Sequence, residues 1–198
     1  MIMTEISHIN AGNVEISTSR LLLRGAKAGD GDGLHEAFGD PEVMKYWSTL
    51  PHETIDQSEE WIQNMSKCET NGVTDFVICL KPDLNPIGKV GVWHKHEIGF
   101  LLAQTQWRKG LAFEALNAII PYLFNEKRLK EITADADPRN SACIGLLLKL
   151  GFVVAGFCEK TFQVGDEWVD STYLKLTKEK WEGKESKADP EDLVERND

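Results

Sequence analysis

The sequence predicts a mixed α/β domain built on a largely antiparallel sheet. Three observations predict it. Short apolar runs bounded by turn residues follow one another closely between Phe76 and Gln104, as in a meander of strands. The stretch from Gly110 to Phe124 carries the strongest helical periodicity in the chain. Beyond it, strand-like and helix-like segments alternate in a βαβα order, which calls for helices packed on a sheet. The chain has 198 residues, 41% of them apolar and 27% charged, which suits one globular domain with a sizeable core.

Residues 1–17 read as an N-terminal extension with weak strand potential. Leu21, Leu22 and Leu23, flanked by Arg20 and Arg24, make a compact first strand. Gly29 to Gly33 is rich in turn residues, and Asp32 stands where an N-cap would open a helix over 33–38. Pro41 restarts the chain with a short helix through Met44 and Tyr46. Ile55, Trp61, Ile62 and Met65 form an approximate apolar stripe, predicting a helix over 54–65 closed by Asn71-Gly72. Phe76 to Leu80 is a nearly continuous apolar run, Pro82 to Pro86 a hairpin loop, and Ile87 to Trp93 its second strand. His96 to Gln104 is a third strand. In the helix from Gly110, Leu111, Ala115, Ile119 and Tyr122 share a stripe that Leu116, Ile120 and Leu123 widen. Ile132 to Ala134 reads as a short strand. Asn140 is an N-cap for a helix that Gly151 stops. Phe152 to Phe157 and Trp168 to Leu176 are the last two strands. Residues 18–178 form the expected domain, and the charged stretch 179–198 reads as a disordered tail.

The formal net charge is −10. Phosphate backbones need a basic face, so nucleic acid is excluded as a partner. The acidic balance mildly favours cationic partners such as amines, although net charge of this size also serves solubility. The four cysteines, Cys68, Cys79, Cys143 and Cys158, form no Cys-x-x-Cys pair. Neither a zinc ribbon nor a thioredoxin-like site is indicated, and the expectation is reduced thiols in a cytoplasmic protein. No apolar run reaches membrane-spanning length, and Met1 to Asn13 lacks the apolar core of a signal peptide. A monomer or homodimer without membrane partners is expected.

The segment that carries chemistry is a strand, a short loop, a glycine and a helix: Ile98 to Leu102, Gln104 to Lys109, then Gly110. A helix start exposes N–H groups without internal partners, and the helix dipole adds partial positive charge there. A glycine lets an anion approach the backbone closely, and Arg108 and Lys109 add charge at the mouth. An ordinary strand-to-helix turn with solvated basic residues would look the same in isolation. The wider pattern is more specific. Glu97-Ile98-Gly99-Phe100-Leu101-Leu102, Trp107-Arg108-Lys109-Gly110-Leu111-Ala112 and Glu114-Ala115-Leu116 together resemble the cofactor motif of the GNAT acetyltransferases. Asn140-Ser141-Ala142-Cys143 with Lys149-Leu150-Gly151-Phe152 resembles the motif that follows it in that superfamily. Thr18 to Arg24 and Asp40 to Met44 resemble the branch of ribosomal-protein N-terminal (Rim-type) acetyltransferases.

The resemblance implies a GNAT fold, with helices on both faces of the sheet and acetyl-CoA as cosubstrate in a gap where the 97–102 and 132–134 strands splay apart. Backbone of Phe100, Leu101 and Leu102 would meet the pantetheine arm. N–H groups of Trp107, Arg108, Lys109, Gly110, Leu111 and Ala112 would hold the pyrophosphate. Asn140 stands where a side chain contacts pantetheine, and a plain helix cap is an equal reading. It implies transfer of acetyl to a primary amine, on a small molecule or a protein N-terminus, by direct attack in a ternary complex. Glu97 is the first choice of general base, directly or through a water, against the reading of a surface carboxylate; His94 and His96 come second. Tyr46, Trp47 and Trp93 would line the acceptor pocket, where aromatic faces suit a cation, or else they are core. His94 and His96 share a strand face, yet no further ligand stands nearby, so no metal is expected.

Two positions depart from the family. Cys143 replaces the serine of this branch, and Leu147 stands where many members have a tyrosine acid. Cys143 is therefore the candidate proton donor to the leaving thiolate, with a covalent acetyl-Cys143 step the less favoured role. The missing hydroxyls also admit an alternative: an acetyl-CoA-binding sensor or regulatory module without turnover.

Overall fold

The computed structural model describes residues 4–10, 13–67, 74–94 and 96–185. The elements follow the order β1 (Glu5–Asn10), β2 (Asn13–Ser17), β3 (Leu21–Arg24), α1 (Asp30–Phe38), α2 (Pro41–Met44), α3 (Ile55–Lys67), β4 (Thr74–Leu80), β5 (Asn85–Trp93) and β6 (Glu97–Leu102). Then come α4 (Leu111–Asn125), β7 (Glu131–Ala136), α5 (Ser141–Leu150), β8 (Val153–Val164), β9 (Glu167–Thr177) and α6 (Lys178–Glu185). All strands join one sheet in the order β1-β2-β3-β4-β5-β6-β7-β9-β8. Every neighbouring pair is antiparallel except β6 and β7. The mixed α/β class with a largely antiparallel sheet is as the sequence predicts.

Alternation along the strands divides the core in two. Phe76 and Ile78 of β4, Val90 and Val92 of β5 and Ile98 and Leu102 of β6 face one side, with Ile132, Ala134 and Ala136 of β7. There they pack on Leu111, Ala115, Ile119 and Leu123 of α4 and on Leu147 and Leu150 of α5. Val77, Cys79 and Leu101 face the other side, against Leu34 and Phe38 of α1, Met44 of α2 and Ile62 of α3. Helices thus cover both faces. On this second side, the same period of two aligns Asp75, Lys89, Gly91, Trp93, Glu97, Gly99 and Asp135. That row lies beyond the edge of the apolar cluster and becomes the wall of a cavity.

Several elements differ from expectation. The extension over 1–17 contributes β1 and β2, which pair with each other and then with β3. α1 opens at Asp30, not behind Asp32: its N-cap is Gly29 in the left-handed region (φ 91°), and Asp30 is fixed by Arg24 through contacts of 2.7 and 2.8 Å. β8 runs on to Val164, well past its predicted end at Phe157, because polar cross-strand bonds such as Thr161 to Ser171 (2.6 Å) replace apolar alternation as the signal; β9 keeps its predicted span to within one residue at each end. The expected tail begins as α6, whose Trp181 is only 5% exposed and joins the main core. Cys68, the Asn71-Gly72 stop and residues 186–198 lie outside the described residues. Among the described residues no helix is long and apolar enough to cross a membrane.

Candidate active site

The parallel contact between β6 and β7 is confined to one residue pair, Glu97 opposite Thr133, with Thr133 N–H donating to His96 C=O at 2.9 Å. Beyond this point the two strands part. β6 keeps β5 on one side, paired from Trp93–Glu97 to Gly88–Leu102. Among the described residues its other edge, from Ile98 onward, has no strand partner. β7 turns instead to β9, with which it pairs along its whole length. The splayed pair expected from the sequence is therefore present.

At the open end of the gap β6 runs through a 3-10 turn (Gln104–Gln106) into α4. Gly110 is the N-cap with φ 75°, a left-handed conformation in which a Cβ costs about 1–2 kcal/mol. The helix ladder starts with Glu114 N–H donating to Gly110 C=O at 3.0 Å. The N–H groups of Leu111, Ala112 and Phe113 therefore have no intrahelical acceptor. Arg108 and Lys109 are exposed beside them. Trp107 departs from expectation: its backbone N–H is donated to Gln104 C=O (3.1 Å), while its indole Nε1 donates to Leu102 C=O (2.8 Å). It clips the loop to β6 and does not offer a free backbone donor.

The loop is fixed from below by Glu114, which is buried in the first turn of α4. Its carboxylate accepts from Thr18 Oγ1 (2.5 Å), Arg20 N (3.0 Å) and Arg20 Nε (2.6 Å). Burial alone would raise this carboxyl; the bonds from Thr18 and Arg20 more than offset it and hold it below its ordinary value. Arg20 also donates to Lys109 C=O at 2.9 Å. Sequence reading placed Arg20 only beside the first strand. The Thr18-Ser19-Arg20 segment was visible, but its partner Glu114 lies 94 residues away from Arg20.

Glu97 lies at the splay point and lines a cavity of about 510 Å³ with Tyr46, Trp47, Thr49, Trp61, Asp75, Lys89, Trp93, His94, Asp135 and Phe162. Tyr46, Trp47, Trp93, His94 and Glu97, predicted from separate segments, meet here. Trp61, expected in the core, packs against the second apolar cluster and also forms part of this wall. Burial, and next the negative charge of Asp135, push the Glu97 carboxyl above its ordinary 4.5; His94 and His96 offset part of this. Asp135 is also raised by burial, against a hydrogen bond from Ser171 Oγ at 2.9 Å. Ser171 is fully buried and in turn contacts Thr161. Asp135 was missed because nothing in its local sequence distinguishes it from a strand-end carboxylate.

Asn140 is the N-cap of α5, its Oδ1 accepting from Cys143 N–H at 3.1 Å. Cys143 packs against the main core and is not among the cavity residues. Burial pushes its thiol up to about 11, so it stays protonated at neutral pH. Leu147 is fully buried in the core. Cys79, Cys143 and Cys158 are free cysteines.

Residues 20–153 match the family model of the acetyltransferase (GNAT) domain. This chain is a GNAT acetyltransferase. It is 30% identical over 173 residues to the uncharacterized N-acetyltransferase YnaD of Bacillus subtilis, covering 85% of this chain and 99% of that protein. It is 25% identical to the ribosomal protein uS5-alanine N-acetyltransferase of Escherichia coli, over 87% of this chain and 95% of that protein. The crystal structure of spermidine N-acetyltransferase from Vibrio cholerae, in complex with CoA and spermine, superposes with a TM-score of 0.70 at 25% identity. It covers 82% of this chain and 98% of that one. The enzyme is thus an acyltransferase that uses acetyl-CoA. The start of α4 fits a diphosphate on physical grounds: unpartnered N–H groups, a left-handed glycine and basic side chains meet at one helix end. The free edge of β6 fits an amide-bearing arm, since its backbone groups face the gap and not a neighbouring strand.

Proposed function

We propose that this acetyltransferase moves the acetyl group to a primary amine, on a small molecule or a protein N-terminus, with Glu97 as the general base. One observation carries the reading: a half-buried carboxyl of raised pKa stands where the splayed strands meet an aromatic-lined cavity. N–H groups from Arg108 to Ala112 would hold the diphosphate of acetyl-CoA, and the β6 edge at Phe100 to Leu102 its pantetheine arm. When bound, acetyl-CoA supplies the activated acetyl group. Glu97 and Asp135 attract the acceptor as an ammonium, and the rings of Tyr46, Trp47 and Trp93 shelter its apolar body. Glu97 then takes the proton, directly or through a water, freeing the lone pair for direct attack on the thioester carbonyl carbon; the C–N bond forms as the C–S bond breaks, and coenzyme A departs as its thiolate. Holding both reactants in one cleft supplies much of the rate. A covalent role for Cys143 is disfavoured, because its thiol is protonated and outside the cavity.

The test is thiol release across a panel of primary amines and N-terminal peptides. Turnover with an amine that falls about a hundredfold in Glu97→Gln, at unchanged acetyl-CoA affinity, supports the reading. Tight acetyl-CoA binding with no turnover on any amine would favour the sensor alternative, which the lack of a hydroxyl at Cys143 and Leu147 motivates.

A further inference from the structure

Beneath the mouth of the cavity lies a polar floor that proton abstraction does not use. Asp75 of β4 and Lys89 of β5 form an ion pair at 2.6 Å, with side chains only 8% and 10% exposed. The Lys89 ammonium also sits 5.7 Å from the ring centroid of Trp47 and 5.8 Å from that of Trp61. Gly91, opposite Asp75 in the strand register, has no room for a Cβ, which would overlap Asp75 Oδ1. Among the described residues the buried polar side-chain atoms without a partner are Trp47 Nε1, Thr49 Oγ1, Asp75 Oδ1 and Trp181 Nε1. All but the last belong to residues lining this cavity. A buried polar atom left unsatisfied is costly, so their gathering around one cavity points to a group that completes them.

Resting on the reading of this cavity as the acceptor site, we infer that its floor is a specificity subsite for a neutral amide group carried by the acceptor away from its amine. The donor set decides the chemistry. Trp47 Nε1 can only donate, Asp75 Oδ1 can only accept while ionised, and Thr49 Oγ1 does either. An amide offers one carbonyl oxygen and one N–H to match. A second ammonium would meet Lys89 at close range, and like charges in a buried site repel strongly. A carboxylate would face Asp75, Glu97 and Asp135 against the ammonium of Lys89, since the Asp137 carboxylate that also lines the cavity is already paired with Arg139. The floor pair is neutral as a whole and favours a neutral guest.

The experiment compares four primary amines of matched length, ending in a carboxamide, a methyl group, a second amine or a carboxylate, in the full-length enzyme. The carboxamide is expected to exceed the methyl compound about tenfold in kcat/KM, mainly through KM, with the diamine and the amino acid below it. Removing the pair together, in Asp75→Leu/Lys89→Met, avoids leaving a lone buried charge and should preserve the fold. In that variant the carboxamide-to-methyl ratio is expected to fall to about 1. A diamine that outranks the carboxamide overturns the subsite, as does a ratio that persists in the folded double variant. If the double variant does not fold, the ranking on the unmodified enzyme decides. If acetyl-CoA binds yet none of these amines or any other is acetylated, the acceptor-site reading itself fails, and the subsite with it.

Discussion

At residue 97 two influences outweigh the opposing charges of His94 and His96: the loss of water around the carboxyl and the charge of Asp135. Both favour the protonated form, so Glu97 ionises above its ordinary 4.5. A base must be ionised to work, so kcat/KM should rise with pH through this group, giving an acidic limb that lies above that value. Replacing Asp135 by Asn removes the like charge and lowers the Glu97 pKa; the limb should move to lower pH. A pH profile of Asp135→Asn that overlays the parent's would show that Asp135 does not tune the base. At Cys143 the logic runs the other way. A thiol held near 11 is almost wholly protonated at neutral pH and is a poor nucleophile. Mass spectrometry after incubation with acetyl-CoA alone should find this cysteine unmodified, and an acetylated Cys143 would reinstate the covalent route. These residues differ in how far they could be read from the chain. Glu97, Tyr46, Trp47 and Trp93 stood out by resemblance and residue type. Asp75 with Lys89 did not, since the pair depends on strand register across 14 residues. Asp135 gains its meaning from Ser171, 36 residues on.

Elements were legible where the signal is local. β4 to β6 stand out as short apolar runs because the sheet is buried on both faces there, and α4 by its helical period in the main core. β1 and β2 gave only weak strand potential: they stand at or next to the sheet edge, where a polar segment such as Glu5–Asn10 is tolerated. The start of α4 was recognised by its glycine, but what holds it in place was not. Glu114 joins this helix start to the β3 approach through several charge-assisted bonds, and its low pKa links that junction to pH. A depressed carboxyl stabilises the fold fully above its unfolded value, and this contribution is lost as pH falls through the lower folded value. Glu114→Ala should therefore cost about 2–4 kcal/mol at neutral pH, read from denaturant midpoints, and less under acid conditions. It should also weaken acetyl-CoA binding by loosening the loop at Lys109. Gly110→Asp tests the same element from the loop side, although a Cβ there stands 3.6 Å from Nη2 of the junction's Arg20. It adds strain at φ 75° and negative charge at the helix start, so acetyl-CoA affinity should fall at least about tenfold. Calorimetry with unchanged affinity would remove the diphosphate from this helix end.

For the whole molecule, the sheet organises two tasks on its two faces. One face is sealed by α4 and α5 and carries the larger apolar cluster; the other leaves a gap beyond α1 to α3 that becomes the cavity. The C-terminal segment belongs to the sealed side, which its charged composition concealed. Polar residues outnumber apolar ones in Lys178–Glu185, yet Trp181 is 5% exposed in the main cluster. Lys184 Nζ also donates to Lys149 C=O at 2.7 Å, close to the C-terminus of α5. Removing a buried tryptophan side chain costs about 3–5 kcal/mol. At about 2–4 °C per kcal/mol for a domain of this size, Trp181→Ala should lower the melting temperature by roughly 6–20 °C. Lys184→Ala, which loses an exposed bond, should change it little. Because Trp181 is not among the cavity residues, molecules of Trp181→Ala that remain folded at low temperature should keep their acetyl-CoA affinity. A melting curve that matches the parent's would mean that α6 does not cover this core in solution, and that the charged segment is the loose tail its composition suggests.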